Sequence, residues 1–420
     1  MVHLYPFQAI HPKKEQAQDI AAVPYDVVDA KEAAEIIRKQ PLSFLNISRS
    51  DACLPCDPYD ALVYATAKET FARYIRDGLL IQDQIPSLYV YRVTAKERTF
   101  TGLCGCFDLL EYRSGTIKKH ELTRVEKERD RTRHIDAVNA NTGPVIFLHD
   151  KNSHIQDLLA QNIKMIQTPS LIITAPDGSL HEIFPISESE QIDELIREFS
   201  YIENLYIADG HHRCKSALNV LEQRENADAS EISEETKRVM GVAFGEDQVI
   251  VYGYHRLILT LHETAPEAFM DALKEVASLT PYPTLDPLAS RIKTMQDETA
   301  FHIFHLYYGK TWYEVAIAKT SSQNPIDALD VTVLQNCILE PLLKITDPRT
   351  DPALQYVGGS SPVSVLMEAV DHGEAIIAIA MQPVSVADVF AIANSGGIMP
   401  PKSTWFEPKM LSGITIHLLS

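Results

Sequence analysis

The sequence predicts an α/β protein with mixed sheets, on three observations. Residues 87–94 and 98–110 alternate apolar and polar side chains, as an antiparallel pair does. Pro176-Asp177-Gly178 sits between two further apolar runs, 171–174 and 180–184, as a hairpin turn does. Helical patterns are interleaved with these strands along the whole chain.

In chain order, residues 24–28 read as extended, and Asp29 with Glu32 forms a capping box for a helix reaching Gln40. Residues 44–47 read as a short strand. A helix over about 59–77 stops at Gly78. After the 87–110 pair, the charged stretch 118–141 is helical beyond Thr123, and 145–148 is a strand. The hairpin follows, then a helix over 189–199 and a strand over 205–208. A tight turn leads from that strand into a helix over 215–224. An acid-rich helix at about 230–237 and strands at 239–244 and 249–254 close this stretch. The pattern then restarts, with helices at 266–277, 329–343 and 386–393 and strands at 300–306, 311–317 and 375–381. Three domains are expected: an N-terminal α/β extension over 1–106, a central domain over 107–260 and a C-terminal α/β domain over 261–420.

Composition excludes several classes. The net charge is −19, from 57 acidic and 38 basic residues. Nucleic acid is therefore a disfavoured partner, because duplex binding needs a basic footprint that the whole chain lacks. No apolar run is long enough to span a membrane, and the N-terminus lacks a basic segment followed by an apolar one. A soluble cytoplasmic protein is the expectation, with its oligomeric state open. Six cysteines do not make a disulfide scaffold. Cys53/Cys56 and Cys104/Cys106 have zinc or redox spacing, but nothing in the sequence brings the pairs together, and buried or incidental thiols are the preferred reading.

Four segments carry candidate chemistry. Asp209-Gly210-His211-His212-Arg213 lies between strand and helix, where backbone N–H groups point at an anion. Gly210 permits the turn, Arg213 supplies a forked cation, and Asp209 can hold a metal or orient an imidazole. Lys118-Lys119-His120-Glu121 places a carboxylate among cations, suited to a general base; alone, such a cluster is more often a solvated face. Arg131-Thr132-Arg133-His134 can clamp phosphate oxygens, with Asn141-Thr142-Gly143 as a turn rich in donors. Against this, a helical RTRH run is commonly solvent-exposed. Near the C-terminus, Lys402, Ser403 and Thr404 offer charge and hydroxyls to a phosphate or carboxylate. A turn covering the core with Trp405 and Phe406 is the competing account.

These segments carry a resemblance. PYDVV (24–28), KKHE (118–121), RTRH (131–134), ANTGP (140–144), ADGHHR (208–213) and MPPKSTWFEPK (399–409) resemble, close to full length, a large bacterial family of formerly uncharacterised proteins. More distantly, the chain from about 107 onward resembles the archaeal free serine kinases. That family carries K-P-H-E, V-D-G-H-H-R and S-P-K-T-T-R in the same order. It has a ParB/sulfiredoxin-like nucleotide domain and a second α/β domain.

The resemblance implies a phosphotransferase moving a phosphoryl group between ADP or ATP and the hydroxyl of serine or a similar small hydroxy acid, or the reverse from phosphoserine. It implies Glu121, with His120, at the reacting hydroxyl, and Asp209 through Arg213 around the nucleotide phosphates, with Mg2+ as a bridge. Lys402, Ser403 and Thr404 would hold the amino acid or the transferred phosphate, and Tyr254 and His255 are further pocket candidates. Residues 1–106 have no counterpart in the kinases, and Trp405 stands where they have a basic residue. The alternative is a ParB-like protein that hydrolyses nucleotide or senses a nucleotide or metabolite. A sulfiredoxin reaction needs a cysteine within the phosphate loop, whereas Cys214 follows Arg213.

Overall fold

Alternation over the first hundred residues does build an antiparallel pair, but the pair lies inside a larger sheet. The computed structural model describes residues 1–96, 98–227, 232–262, 264–282, 300–320 and 324–420. They form two compact units: Met1–Lys119, Thr123–Val249 and Pro408–Ser420 in the first, His120–Leu122 and Ile250–Glu407 in the second.

The first unit is organised by a nine-stranded mixed sheet. Its strands are β1 (Leu4–Tyr5), β2 (Leu88–Ala95), β3 (Arg98–Asp108), β4 (Ile117–Lys118), β5 (Val145–His149), β6 (Leu171–Thr174), β7 (Leu180–Ile186), β8 (Leu205–Asp209) and β9 (Arg238–Gly245). The order is β4-β8-β5-β9-β3-β2-β7-β6, with β1 also paired to β3. Pairs β4–β8 and β5–β9 are parallel and the rest antiparallel. Every residue of β5 is buried, as its unbroken apolar run requires of a strand covered on both faces. Helices α1 (Ser153–Ile166), α2 (Ser189–Phe199) and α3 (His211–Ala227) place Leu159, Phe199 and Leu221 in the core that contains Phe107 and Phe147. A second core gathers Phe44, Phe71, Tyr74, Val138 and Ile416.

The capping box at Asp29 and Glu32 forms with both bonds in place. The expected boundary at 106 falls within β3, whose residues pair with β1, β2 and β9. Residues 1–106 are therefore not a separate extension, since their longest strands complete the central sheet. Residues 24–28 turn instead of extending, with the Val27 N–H donating to the Pro24 carbonyl. Residues 45–48 are a single helical turn, where β-branched Ile47 favoured a strand. Its entry is fixed by Ser43, whose carbonyl accepts from both the backbone and the side-chain amide of Asn46. The helix 153–166, capped by Asn152, was not expected. The expected helix at 230–237 is a 3-10 turn over Glu234–Lys237 in its described part, and residues 228–231 lie outside the described residues.

The second unit has a six-stranded antiparallel sheet. One of its strands is Tyr254–Ile258, flanked by Leu354–Gly358 and Ile377–Ala380. The expected single strand 249–254 is two, because the chain breaks at Gly253. A Cβ there would lie 2.7 Å from the Gln382 carbonyl oxygen, so glycine admits the neighbouring backbone. Ile250–Tyr252 pairs instead with Trp405–Glu407. The helix expected over 329–343 carries a π segment at Gln335–Leu339, just before Pro341, whose missing N–H interrupts the regular ladder. Among the described residues no helix is long and apolar enough to cross a membrane.

Candidate active site

Strand β8 ends in a register shift between Ile207 and Asp209, an irregularity that re-aims the last side chain of the strand. Gly210 follows at φ +96°, and α3 begins at His211. A side chain at Gly210 would meet the Arg213 guanidinium at 3.2 Å and the Val145 Cα at 3.3 Å. The Cys214 N–H makes the first helical bond, to the Gly210 carbonyl, so His211, His212 and Arg213 form the positive N-terminal turn. The loop expected to precede the helix is thus the helix start itself.

Asp209 holds two cations. One carboxylate oxygen accepts from Lys409 Nζ at 2.9 Å and the other from the Arg213 guanidinium. Burial opposes ionisation of Asp209, but Lys409 and Arg213 outweigh it and hold the carboxyl well below its usual range. Arg213 also donates to the Pro144 carbonyl and lies 3.9 Å from Asp26. The PYDVV and ANTGP motifs thereby meet the DGHHR motif. His212 is committed elsewhere: its Nε2 accepts the Arg124 N–H at 3.0 Å, and burial lowers its pKa, which keeps it neutral.

Beside this turn lies a small cavity, partly open to solvent, lined by Pro24, Tyr25, Ser48, Arg131, His134, Ile135, Asn141, Thr142, Gly143, Arg213 and Ser412. Two guanidinium groups therefore face one space. Arg131 is buried, bonded to Asp130 at 2.9 Å and to the Ser48 carbonyl at 3.2 Å, and stacked 4.2 Å from the Tyr25 ring centre. His134 lies one turn further along the same helix, 2.9 Å from the Ile47 carbonyl, and burial followed by Arg131 pushes its pKa down to about 4. Arg133 points the other way, exposed and directed at the Tyr59 carbonyl. A helix cannot place neighbours two apart on one face, so the expected RTRH clamp reduces to Arg131 and His134. Asn141 is held by His417 at 3.2 Å, and the Thr142 carbonyl accepts the Gly413 N–H. Ser412 pairs its backbone with Ala22 and contributes to the cavity wall.

The second unit gathers the other candidates. The His120 carbonyl accepts the Met399 N–H at 2.8 Å and its ring lies 6.1 Å from Phe406, which brings the KKHE and MPPKSTWFEPK motifs together. Glu121 is half-buried beside it. Lys402 adopts φ +57° and places its ammonium 4.9 Å over the Tyr254 ring. Ser403 is buried and donates to the Pro400 carbonyl, and Thr404 is half-buried. His255 is buried, its Nδ1 accepting the Met381 N–H.

A resident Mg2+ at Asp209 does not fit these residues. Both carboxylate oxygens already accept from cations, and among the described residues no group of three or more His, Cys, Asp or Glu could hold a metal. Cys104 and Cys106 are buried in β3, and burial pushes the Cys104 thiol up to about 12. Sequence reasoning passed over Tyr25, Ser48, Ser412 and Lys409. Tyr25 and Lys409 stood within recognised motifs, whereas Ser48 and Ser412 had no local signal.

The family model described as protein of unknown function (DUF1015) matches residues 4–332, and the chain belongs to that family. No curated protein matches it. Among solved structures it is similar to a free serine kinase in complex with AMP, at 12% identity over 74% of this chain and 90% of that one, TM-score 0.37. It is similar to SbnI with C-terminal truncation from Staphylococcus aureus, at 11% identity over 75% and 87%, TM-score 0.34. A conserved hypothetical protein from Pyrococcus furiosus is similar at 13% identity over 74% and 94%, TM-score 0.36.

Proposed function

We propose that this member of the DUF1015 family is a phosphotransferase that moves a phosphoryl group between ADP or ATP and the hydroxyl of serine or a similar small hydroxy acid, in either direction. The observation that carries this reading is the helix N-terminus at His211, with Arg213 and Arg131 facing one cavity beside it. Backbone N–H groups and two guanidiniums are the donors a polyphosphate requires. Asp209 orients Arg213 and Lys409 and prevents their mutual repulsion. Mg2+ enters this reading as part of the nucleotide substrate, bound through phosphate oxygens.

In the forward direction the acceptor oxygen forms a bond to the terminal phosphorus while the bond to the nucleotide's bridging oxygen breaks. Glu121 takes the hydroxyl proton, and the nucleotide leaves with one phosphate fewer. Positioning and charge neutralisation supply most of the catalysis in such a transfer. The order of the KKHE, ADGHHR and PPKST motifs, shared with the free serine kinases, supports the assignment of Glu121, Asp209 to Arg213 and Lys402 to Thr404 to one reaction.

The test mixes the protein with Mg2+ and pairs of ADP or ATP, AMP, serine and phosphoserine, followed by phosphorus NMR. Phosphoserine should appear from serine and nucleotide, and Glu121→Ala should stop it while leaving nucleotide binding intact. No exchange in any mixture would sink the reading, and nucleotide loss without an acceptor would favour hydrolysis instead.

A further inference from the structure

Arg256 is 3% exposed, on strand Tyr254–Ile258. Among the described residues it forms no ion pair, and burial lowers its pKa to about 10, offset only by Tyr356 and Tyr254. Two of its five N–H donors have acceptors, the carbonyl oxygens of Tyr254 and Lys402, the latter at 3.2 Å. Its Nε is buried with no partner. Its guanidinium stacks 5.3 Å from the Tyr356 ring centre. A buried guanidinium without a counter-ion is costly, and a fold does not retain it for stability. The backbone it holds is that of Lys402, which keeps a left-handed conformation rare for a residue with a side chain. Lys402 is exposed, forms no ion pair among the described residues, and reaches the Tyr254 hydroxyl at 3.4 Å.

We propose that Lys402 and Arg256 form a subsite for the carboxylate of the small acid substrate. Lys402 contacts the carboxylate at the surface. Arg256 is a positioning residue that fixes the Lys402 backbone and supplies the buried charge behind it. The identity of the group as a substrate carboxylate rests on the phosphotransferase reading. A carboxylate fits better than a phosphate here, because the side-chain donors are few: the Ser403 hydroxyl is committed to the Pro400 carbonyl. The neighbouring glycines keep the wall tight. A Cβ at Gly358 would lie 2.9 Å from the Trp405 ring, which itself packs on Tyr254 at 5.4 Å.

The full-length protein is assayed with L-serine and with its primary amide, L-serinamide. The unmodified protein should prefer the acid at least tenfold in kcat/KM. Arg256→Gln and Lys402→Gln should each bring that ratio close to one, mainly by raising the KM for the acid, with ADP affinity changed less than twofold. Arg256→Lys, which keeps the charge, should restore part of the preference. In parallel, L-serine, L-serinamide and inorganic phosphate are titrated without nucleotide and followed by NMR. L-serine should bind best, and Arg256→Gln should remove its advantage. A folded Arg256→Gln protein that keeps the acid preference overturns the subsite, as does tighter binding of phosphate than of L-serine. If Arg256→Gln does not fold, Lys402→Gln carries the same test from an exposed position. Arg256-dependent L-serine binding without any phosphoryl exchange would leave the subsite standing and remove the phosphotransferase reading. Exchange with an acid preference independent of both cations would do the reverse.

Discussion

Two cation clusters in this protein differ in how their charge is compensated. In the first unit Arg213 and Lys409 share Asp209, and Arg131 pairs with Asp130. In the second unit Arg256 and Lys402 have no acid among the described residues. The first arrangement fixes donors in advance, so that an incoming anion meets oriented groups and little reorganisation is needed. The second holds a buried guanidinium bonded to two carbonyl oxygens, with an exposed ammonium beside it. The difference teaches that pairing marks a preformed cradle, whereas an uncompensated buried cation marks a place where the ligand itself completes the electrostatics.

The comparison breaks first at Asp209. Asp209→Ala should leave two cations mutually repelling beside the helix start, at a cost of about 3–5 kcal/mol in unfolding free energy, measured by chemical denaturation. Nucleotide binding should fall with it. An unchanged denaturation midpoint would show that the pairing contributes nothing to the cradle.

A second test separates the two arginines of one motif. Arg131→Ala should weaken ADP binding at least about tenfold, or about 1.4 kcal/mol, by calorimetry. Arg133→Ala should change it less than about twofold, because that side chain is exposed and turned from the cavity. Equal effects would refute the one-faced reading of the helix.

Gly210→Ala probes the turn. The left-handed conformation costs a residue with a Cβ about 1–2 kcal/mol, and the new methyl would press on Arg213 and Val145. A lower thermal midpoint with weakened ADP binding is expected.

The last test is a pH dependence. Burial holds His134 at about 4, below the ordinary 6.5, so the unfolded chain binds more protons than the folded one between those values. Stability should therefore rise with pH across that window and fall on acidification through it. His181, also pushed down to about 4 by burial, adds to the same slope. His134→Gln should flatten the denaturation midpoint between pH 4.5 and 7 without abolishing the trend.

Local signals carried much of the fold. The Asp29–Glu32 capping box, the helix 189–199 and the hairpin around Asp177-Gly178 lie where the sequence puts them. Each is fixed by residues within a few positions of one another. The errors have the same origin: Phe44 to Ile47 has β-favouring side chains in a segment too short for periodicity, and Ser43 and the surrounding core decide for a turn of helix. The strand over 249–254 looked continuous until the backbone at 381–382 came within reach of Gly253.

By itself the sequence determined that a strand, a glycine turn and a helix start coincide at Asp209 to Arg213, because backbone propensity and the positive φ at Gly210 are local properties. It also showed which residue types were available for phosphate chemistry. Only the tertiary structure decided that Lys409, two hundred positions away, completes Asp209, that Arg131 faces the cavity while Arg133 does not, and that Arg256 is buried with no acid partner among the described residues. Those outcomes depend on which charges share a low-dielectric space, and burial and long-range pairing are properties of the packed chain that no short window of sequence contains.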